Sequence, residues 1–329
     1  MIRTLAVRDE HWPTAQVFTI ARGAKTEAHV VVAEITQAGV TGRGEAVPYP
    51  RFGETVAGVM ATVERVRPAI EAGAARAELQ SLLTAGAARN ALDCALWDLE
   101  AKITGEPAWK AAGRGRLDPV KTCYTLSLDT PDAMAEAARA AGRRPVLKLK
   151  IGGAGDLDRV EAVRQAAPKT RLIVDANEGL SFEDLKRLAP EFARLDVKLI
   201  EQPLPSGEDG VLEGYDCPVP LCADESLRSR LELTACARRY THVNIKLDKA
   251  GGLTEALAMA AEARALGLEI MVGCMVATSL SMAPAMILAQ GAAFADLDGP
   301  LLLEGDRRPG LVYEGSLIHP PPPGLWGEA

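Results

Sequence analysis

PVLKLK (145–150), RLIVDAN (171–177), VKLIEQP (197–203), VPLCADES (219–226) and HVNIKLDK (242–249) are five apolar runs, each closing on charge. Lys150, Asp175, Glu201, Asp224 and Lys246 mark those ends, at intervals of 25, 26, 23 and 22 residues. One strand, one helix and two short loops consume about that much chain. A charge recurring at this period gathers on one rim of a parallel barrel, with acids in the middle and amines at the flanks. Such a rim can hold a divalent cation and move a proton.

Three more runs complete the set: TCYTLS (122–127) before it, EIMVGCM (269–275) and FADLDG (294–299) after it. Helical stretches lie between, among them SFEDLKRLAPEFARL with Ser181 as its expected N-cap and LTEALAMAAEARALG with Gly267 as its expected C-cap. Eight strand–helix units at near-constant spacing favour closure into an α/β fold of the (β/α)₈ barrel type, a modified TIM barrel, over a doubly wound sheet. Residues 1–118 read instead as an α+β unit. AHVVVAEITQAG (28–39) alternates like a strand, TGRGEAVPYP (41–50) follows as a second, and ARNALDCALWDLEAK (88–102) carries Leu92, Ala95, Leu96 and Leu99 at helical spacing. The expected division is a capping domain over 1–118, a barrel over 119–302, and a segment over 303–329 that returns to the capping domain.

Composition narrows the function. A net charge of −7, with no block of lysines or arginines, argues against nucleic acid as partner. No apolar run is long enough for a membrane span, and MIRTLAVRDEHW lacks the pattern of a signal peptide. The six cysteines contain no CxxC pair and read as buried thiols in a reducing compartment, so a cytoplasmic location is expected.

In a barrel the C-terminal strand ends form the rim where reacting groups collect. A lone acid there reads as a helix cap, but Asp175, Glu201 and Asp224 occupy the same point of three consecutive units. Three oxygen donors without histidine or cysteine suit a hard cation, Mg²⁺, with Mn²⁺ as a substitute. Lys148 and Lys150 alternate on one strand and share a face. Their repulsion beside a cation is expected to lower the pKa of at least one, as a lysine base requires. Lys246 stands four strands from Lys150, so the two amines can address opposite faces of one carbon.

KLKIG (148–152), DAN (175–177), IEQP (200–203), ADES (223–226) and NIKLDKAGG (244–252), in this order, resemble the enolase superfamily and its muconate-lactonizing subgroup. The resemblance spans essentially the whole chain. It implies Asp175, Glu201 and Asp224 as metal ligands and Lys150 and Lys246 as the acid/base pair. Asn177, Gln202 and Glu225 would support them, and Lys148 would assist electrostatically. FADLDGP places Asp296 and Asp298 at alternate positions, a carboxylate pair suited to a substrate ammonium. An AspxAsp motif there resembles the dipeptide epimerases, as does GCMVATSLSM (273–282). TIARGAKTEAHVVV (19–32) and EAVPYPRFGET (45–55) are similar to epimerases of L-Ala-D/L-Glu. In these, Arg22, on a loop with Lys25 before a strand, could pair with a substrate carboxylate. Thr125, near the end of the first barrel run, is a further candidate substrate contact.

The expectation is therefore a Mg²⁺-dependent epimerase of dipeptides, in murein peptide metabolism, with a dipeptide as its small-molecule partner and a homo-oligomer possible. Its rivals are a muconate cycloisomerase or o-succinylbenzoate synthase, whose substrates carry no ammonium, and a catalytically silent barrel that only binds.

Overall fold

Short Val-, Ile- and Leu-rich strands joined by helices can bury both faces only in a parallel sheet sheathed by those helices. The computed structural model describes residues 3–328. Met1, Ile2 and Ala329, which belong to the N-terminal stretch and to the outer ends of the expected domain ranges, lie outside the described residues.

The N-terminal unit is an antiparallel sheet of β1 (Arg3–Ile20), β2 (Gly23–Gln37) and β3 (Val40–Ala46), followed by α1 (Val56–Glu71), α2 (Arg76–Leu82), α3 (Ala87–Thr104) and the one-turn α4 (Ala108–Ala111). The sequence reading did not identify β1, in which Arg8 and Asp9 fall side by side at exposed positions and interrupt any alternation. It pairs with β2 from Arg3↔Gln37 to Ile20↔Gly23, with an irregularity between Pro13 and Phe18. Lys25, expected on a loop, lies within β2.

Helix α3 is buried on nearly every side, beyond the single apolar face read from its spacing, because it lies between β3 and the barrel. It approaches β3 so closely that a Cβ on Gly42 would stand 2.2 Å from the Ala95 carbonyl oxygen, and one on Gly44 2.1 Å from that of Ala91. Only glycine permits this contact. Its polar residues reach outward: the Arg89 guanidinium donates to the carbonyls of Ala250 and Gly251, and Asn90 Nδ2 donates to Asp248 Oδ1 at 2.9 Å.

A short strand, β4 (Val120–Lys121), leads into the barrel strands β5 (Tyr124–Leu126), β6 (Val146–Lys150), β7 (Arg171–Asp175), β8 (Val197–Glu201), β9 (Leu221–Ala223), β10 (His242–Lys246), β11 (Glu269–Gly273) and β12 (Phe294–Asp296). All eight fall within the runs read from sequence, and they pair in parallel in chain order. Thr122 bridges Ala295, and the Cys123 N–H donates to the Ala295 carbonyl at 2.8 Å, so the ends of the sheet meet in a near-closed barrel. The sheathing helices are α5 (Pro131–Ala140), α6 (Asp156–Ala166), α7 (Phe182–Arg194), α8 (Leu233–Cys236), α9 (Leu247–Ala250), α10 (Leu253–Ala265) and α11 (Ser279–Ala289). Ser181 caps α7, its hydroxyl accepting from the Asp184 N–H.

After the barrel, β13 (Tyr313–Glu314) and β14 (Leu317–Ile318) form a hairpin that pairs with β4. The chain then packs on the N-terminal unit. Trp326 Nε1 donates to the Cys94 carbonyl at 3.0 Å, and the Gly327 N–H donates to Asp98 Oδ1 at 2.7 Å. Among the described residues, no helix is long and apolar enough to cross a membrane.

Candidate active site

Side chains facing the lumen follow the period of two that a strand imposes. Cys123, Val146, Ile173, Leu199, Cys222, Met271 and Phe294 form one apolar layer. Two residues further along the same strands or their ends stand Thr125, Lys148, Asp175, Glu201, Asp224, Gly273 and Asp296. Register pairs Thr125 with Lys148, Asp175 with Glu201, and Gly273 with both Lys246 and Asp296, while Lys150 pairs Asp175 and Glu201 pairs Cys222, the two-residue steps of a sheared barrel.

Lysine contacts bring this layer together. The Lys148 ammonium lies 2.7 Å from Asp296 Oδ2, 2.8 Å from Glu201 Oε2 and 3.0 Å from Asp175 Oδ2. Lys150 Nζ donates to Asp175 Oδ2 at 2.6 Å and Lys246 Nζ to Asp224 Oδ2 at 2.7 Å. All of these residues are buried. Strands β6 and β10 are four apart in a ring of eight, so Lys150 and Lys246 come from opposite walls.

The local electrostatics follow from six carboxylates (Asp175, Glu201, Asp224, Glu225, Asp296, Asp298) sharing the mouth with four lysines (148, 150, 246, 249). Burial disfavours ionised Asp175 and Asp224, yet the adjacent lysines hold both well below the usual carboxylate range. Burial, reinforced by Asp175 and Asp224, pushes Glu201 up to about 7, although Lys148 opposes the shift. Burial and the Asp296 charge likewise push Asp298 to about 7. Of the pair expected to contain a lowered lysine, Lys148 is raised, and so is Lys246 on the opposite wall. Burial alone would lower each, but the surrounding acids raise both well above the ordinary lysine value. That expectation included a divalent cation among the acids; with the protein's own charges alone, the acids dominate.

The donor set nevertheless fits a hard cation. Glu201 Oε2 accepts no well-directed hydrogen bond despite the nearby Lys148, and Asp296 Oδ1, Asn244 Oδ1 and Glu225 Oε2 are also buried acceptors without a donor. Such oxygens are costly unless something positive satisfies them. The acids are engaged by lysines, Asp175 by Lys148 and Lys150 and Asp224 by Lys246 and Lys249.

Supporting residues surround this layer. The backbone enters the left-handed region immediately after β7 and β8, at Asn177 (φ 44°), Glu178 (φ 70°) and Gln202 (φ 35°). Such conformations cost about 1–3 kcal/mol each and persist where neighbours enforce them. Here the Asn177 N–H donates to Asp175 Oδ1 at 2.9 Å, and Gln202 Oε1 accepts from the Asp224 N–H at 2.8 Å. Thus Asn177 steadies one acid and Gln202 another. The Thr125 N–H donates to Asp298 Oδ2 at 2.6 Å.

Arg22 occupies the tip between β1 and β2, away from the two aspartates of the last barrel segment. Its guanidinium donates to Glu225 Oε1 at 2.6 Å, the Asn177 carbonyl at 2.7 Å and Tyr49 OH at 2.7 Å. Glu225 therefore joins the capping hairpin to the barrel mouth.

Several neighbours escaped the sequence reading. Lys249 Nζ donates to Asp224 Oδ1 at 2.6 Å and to the Asn244 carbonyl at 3.1 Å. Asn244 Nδ2 donates to Glu201 Oε1 at 2.7 Å. Its place two residues before Lys246, on the same lumen face, was an available signal. Asp209 accepts from Ser226 Oγ at 2.6 Å and Tyr240 OH at 2.7 Å, beneath Gln202, which itself donates to both. Arg51 grips Glu178 with two hydrogen bonds, at 2.7 and 2.8 Å.

Comparison with known proteins agrees with this arrangement. Residues 2–113 match the mandelate racemase/muconate lactonizing enzyme N-terminal domain, and residues 132–325 match the enolase C-terminal domain-like family. The chain is 46% identical to L-Ala-D/L-Glu epimerase of Escherichia coli, over 97% of this chain and all of that one. It is 42% identical to N-acetyl-D-glutamate racemase of a Pseudoalteromonas species, over 91% of this chain and 96% of that one. Among solved structures, an enolase family member from Agrobacterium tumefaciens with homology to dipeptide epimerases, holding sodium and L-Ala-L-Glu, superimposes with a TM-score of 0.97. It is 52% identical, over 99% of this chain and 100% of that one. A dipeptide epimerase from Enterococcus faecalis, complexed with Mg and L-Leu-L-Tyr, superimposes with a TM-score of 0.90 at 28% identity, over 100% of this chain and 99% of that one.

Proposed function

The chain belongs to the mandelate racemase/muconate lactonizing enzyme family of the enolase superfamily, and on that premise we propose that it is a Mg²⁺-dependent dipeptide epimerase acting on L-Ala-D/L-Glu. The observation that carries this reading is the pair of buried lysines, Lys150 and Lys246, on opposite walls of a mouth lined with acids. The 46% identity to an L-Ala-D/L-Glu epimerase supports the substrate.

Asp175, Glu201 and Asp224 would hold the cation. When bound, Mg²⁺ supplies positive charge that acidifies the carbon beside the substrate carboxylate and stabilises the negative charge developing there. One of Lys150 and Lys246, as the free amine, takes the α-proton; the other, as the ammonium, returns a proton to the opposite face. Lys148, among Asp175, Glu201 and Asp296, offsets their charge. Asp296 and Asp298 hold the dipeptide ammonium, with Thr125 fixing Asp298 from behind. Arg22, at the capping tip, would exchange its contact with Glu225 for the glutamate side chain. By their contacts Asn177, Gln202 and Glu225 keep the acids and the capping hairpin in place. The six cysteines are all free, which supports a reducing cytoplasm, and the proposed pathway is murein peptide metabolism. We take the capping domain as 1–118, the barrel as 119–302, and 303–329 as a segment that returns to the capping domain, a reading supported by the packing of Trp326 and Gly327 on that domain.

A second reading, racemisation of N-acetyl-glutamate, is favoured by the 42% identical relative of that name. That substrate has no ammonium to meet Asp296 and Asp298, whereas the dipeptide does. Assay of both substrates with Mg²⁺ separates the readings. The proposal expects a higher kcat/KM for L-Ala-D-Glu, and Asp298→Asn raising KM for the dipeptide far more than the Mg²⁺ requirement. Faster turnover of N-acetyl-D-glutamate would overturn it, as would no epimerisation of the dipeptide.

A further inference from the structure

Outside the barrel, on the β1–β2 hairpin, His11 and His29 stand directly opposite one another in register. Their ring centroids are 4.0 Å apart. Glu27 lies against both: His29 Nε2 is 2.7 Å from Glu27 Oε1, and His11 Nδ1 is 3.5 Å from Glu27 Oε2. Asp9 Oδ2 lies 3.3 Å from His11 Nε2. Among the described residues this is the one group of three or more His, Cys, Asp or Glu side chains with a ligand atom from each within 4.8 Å of the others.

We propose that His11, His29 and Glu27 form a second metal site, for a borderline divalent transition ion such as Zn²⁺, Ni²⁺ or Cu²⁺. One carboxylate already bridges two imidazole nitrogens, and a cation can replace the protons in such a bridge. Two nitrogens and one oxygen suit these ions and not Mg²⁺, which prefers oxygen throughout. The barrel mouth has the opposite chemistry, carboxylates without histidine, so the two sites sort metals by donor type. Three protein ligands at a half-exposed position leave further coordination to solvent.

The scaffold is suitable. A directly opposed antiparallel pair fixes the separation of the two Cβ atoms, so little ordering is needed on binding. The site lies on the outer part of the hairpin, between the helix-covered sheet and the tip that carries Arg22. An ion here clamps β1 to β2 and stabilises the fold by mass action, since it binds the folded hairpin and not the open chain. The clamp is independent of the epimerase reading.

Equilibrium dialysis against Zn²⁺, with Mg²⁺ saturating, tests this on the purified full chain. The expected result is one Zn²⁺ retained per chain, lost in His11→Ala and in His29→Ala, with thermal unfolding in a chelator unchanged because both side chains are about half-exposed. Cu²⁺ bound in place of Zn²⁺ should show nitrogen hyperfine coupling in its electron paramagnetic spectrum, absent from the double variant. Retention of Zn²⁺ by His11→Ala/His29→Ala would overturn the proposal. So would no Zn²⁺ retained by the wild type once Mg²⁺ fills the barrel.

Discussion

The barrel lumen has two layers set two residues apart on the same strands, and they obey opposite rules. The floor of Cys123, Val146, Ile173, Leu199, Cys222, Met271 and Phe294 is apolar and closed. The mouth, from Thr125 through Lys148, Asp175, Glu201 and Asp224 to Asp296, packs buried charge at a density that a stability-driven core avoids. The same backbone supports both, so the difference lies in side-chain chemistry alone. The floor holds the ring in shape; the mouth uses that shape to place amines on two sides of a cavity. β10 breaks the pattern, with Asn244 below Lys246, and the exception serves the mouth by donating to Glu201.

Substitutions can break this division. Lys150→Ala and Lys246→Ala should each lower kcat by about 10²–10⁴-fold, the usual worth of a positioned acid or base. Full activity in either variant, by polarimetric assay with L-Ala-D-Glu, would end the two-lysine assignment. On the floor, Ile173→Ala should cost about 2–5 kcal/mol of stability in urea unfolding while the remaining folded protein turns over normally. A large kcat loss without destabilisation would show that the layers are not separable.

Lys249→Met sharpens the mouth further. Lys249 fixes one oxygen of Asp224, so its loss should weaken Mg²⁺ activation about 10–100-fold, with kcat recovered at high Mg²⁺. A kcat that stays low at saturating Mg²⁺ would move Lys249 into proton transfer.

The smallest effect concerns a buried acid without an amine. Asp224, beside Lys246 and Lys249, titrates well below its usual range, whereas burial pushes Asp248 up to about 7 despite the Val47 N–H and Asn90 donating to it. A raised acid binds its proton more tightly folded than unfolded. Its stabilising contribution is therefore present in acid and lost as pH rises from the ordinary aspartate range through about 7. Asp248→Asn keeps the accepting oxygen and removes the ionisation. It should match the wild type at about pH 3 and exceed it by a margin that grows up to about pH 8 in thermal unfolding. Equal pH slopes would show that Asp248 stays ionised.

What the sequence made legible follows from the same contrast. Each apolar run stops where the lumen turns from floor to mouth, so Asp175, Glu201, Asp224, Lys150 and Lys246 announced themselves as charges at strand ends. Lys249 did not, because it sits on the one-turn helix α9 after β10, where a lysine reads as solvated. Asp209 opens a single 3-10 turn (Asp209–Leu212) after β8, and only folding brings it beneath Gln202 and Ser226. β1 was illegible because only Leu5 and Thr14 of its 18 residues are buried, so no apolar alternation marks the strand. Arg22 was located near the mouth, but its hold on Glu225 joins segments some two hundred residues apart in the chain, beyond any local pattern.

The most direct test is the fate of the α-hydrogen in D₂O, followed by NMR from the first turnovers of L-Ala-D-Glu with Mg²⁺. Two amines on opposite walls require the L-Ala-L-Glu formed first to carry deuterium at the glutamate α-carbon while unreacted L-Ala-D-Glu still carries protium. Product that retains the original hydrogen would mean one base serving both faces, and would contradict the account.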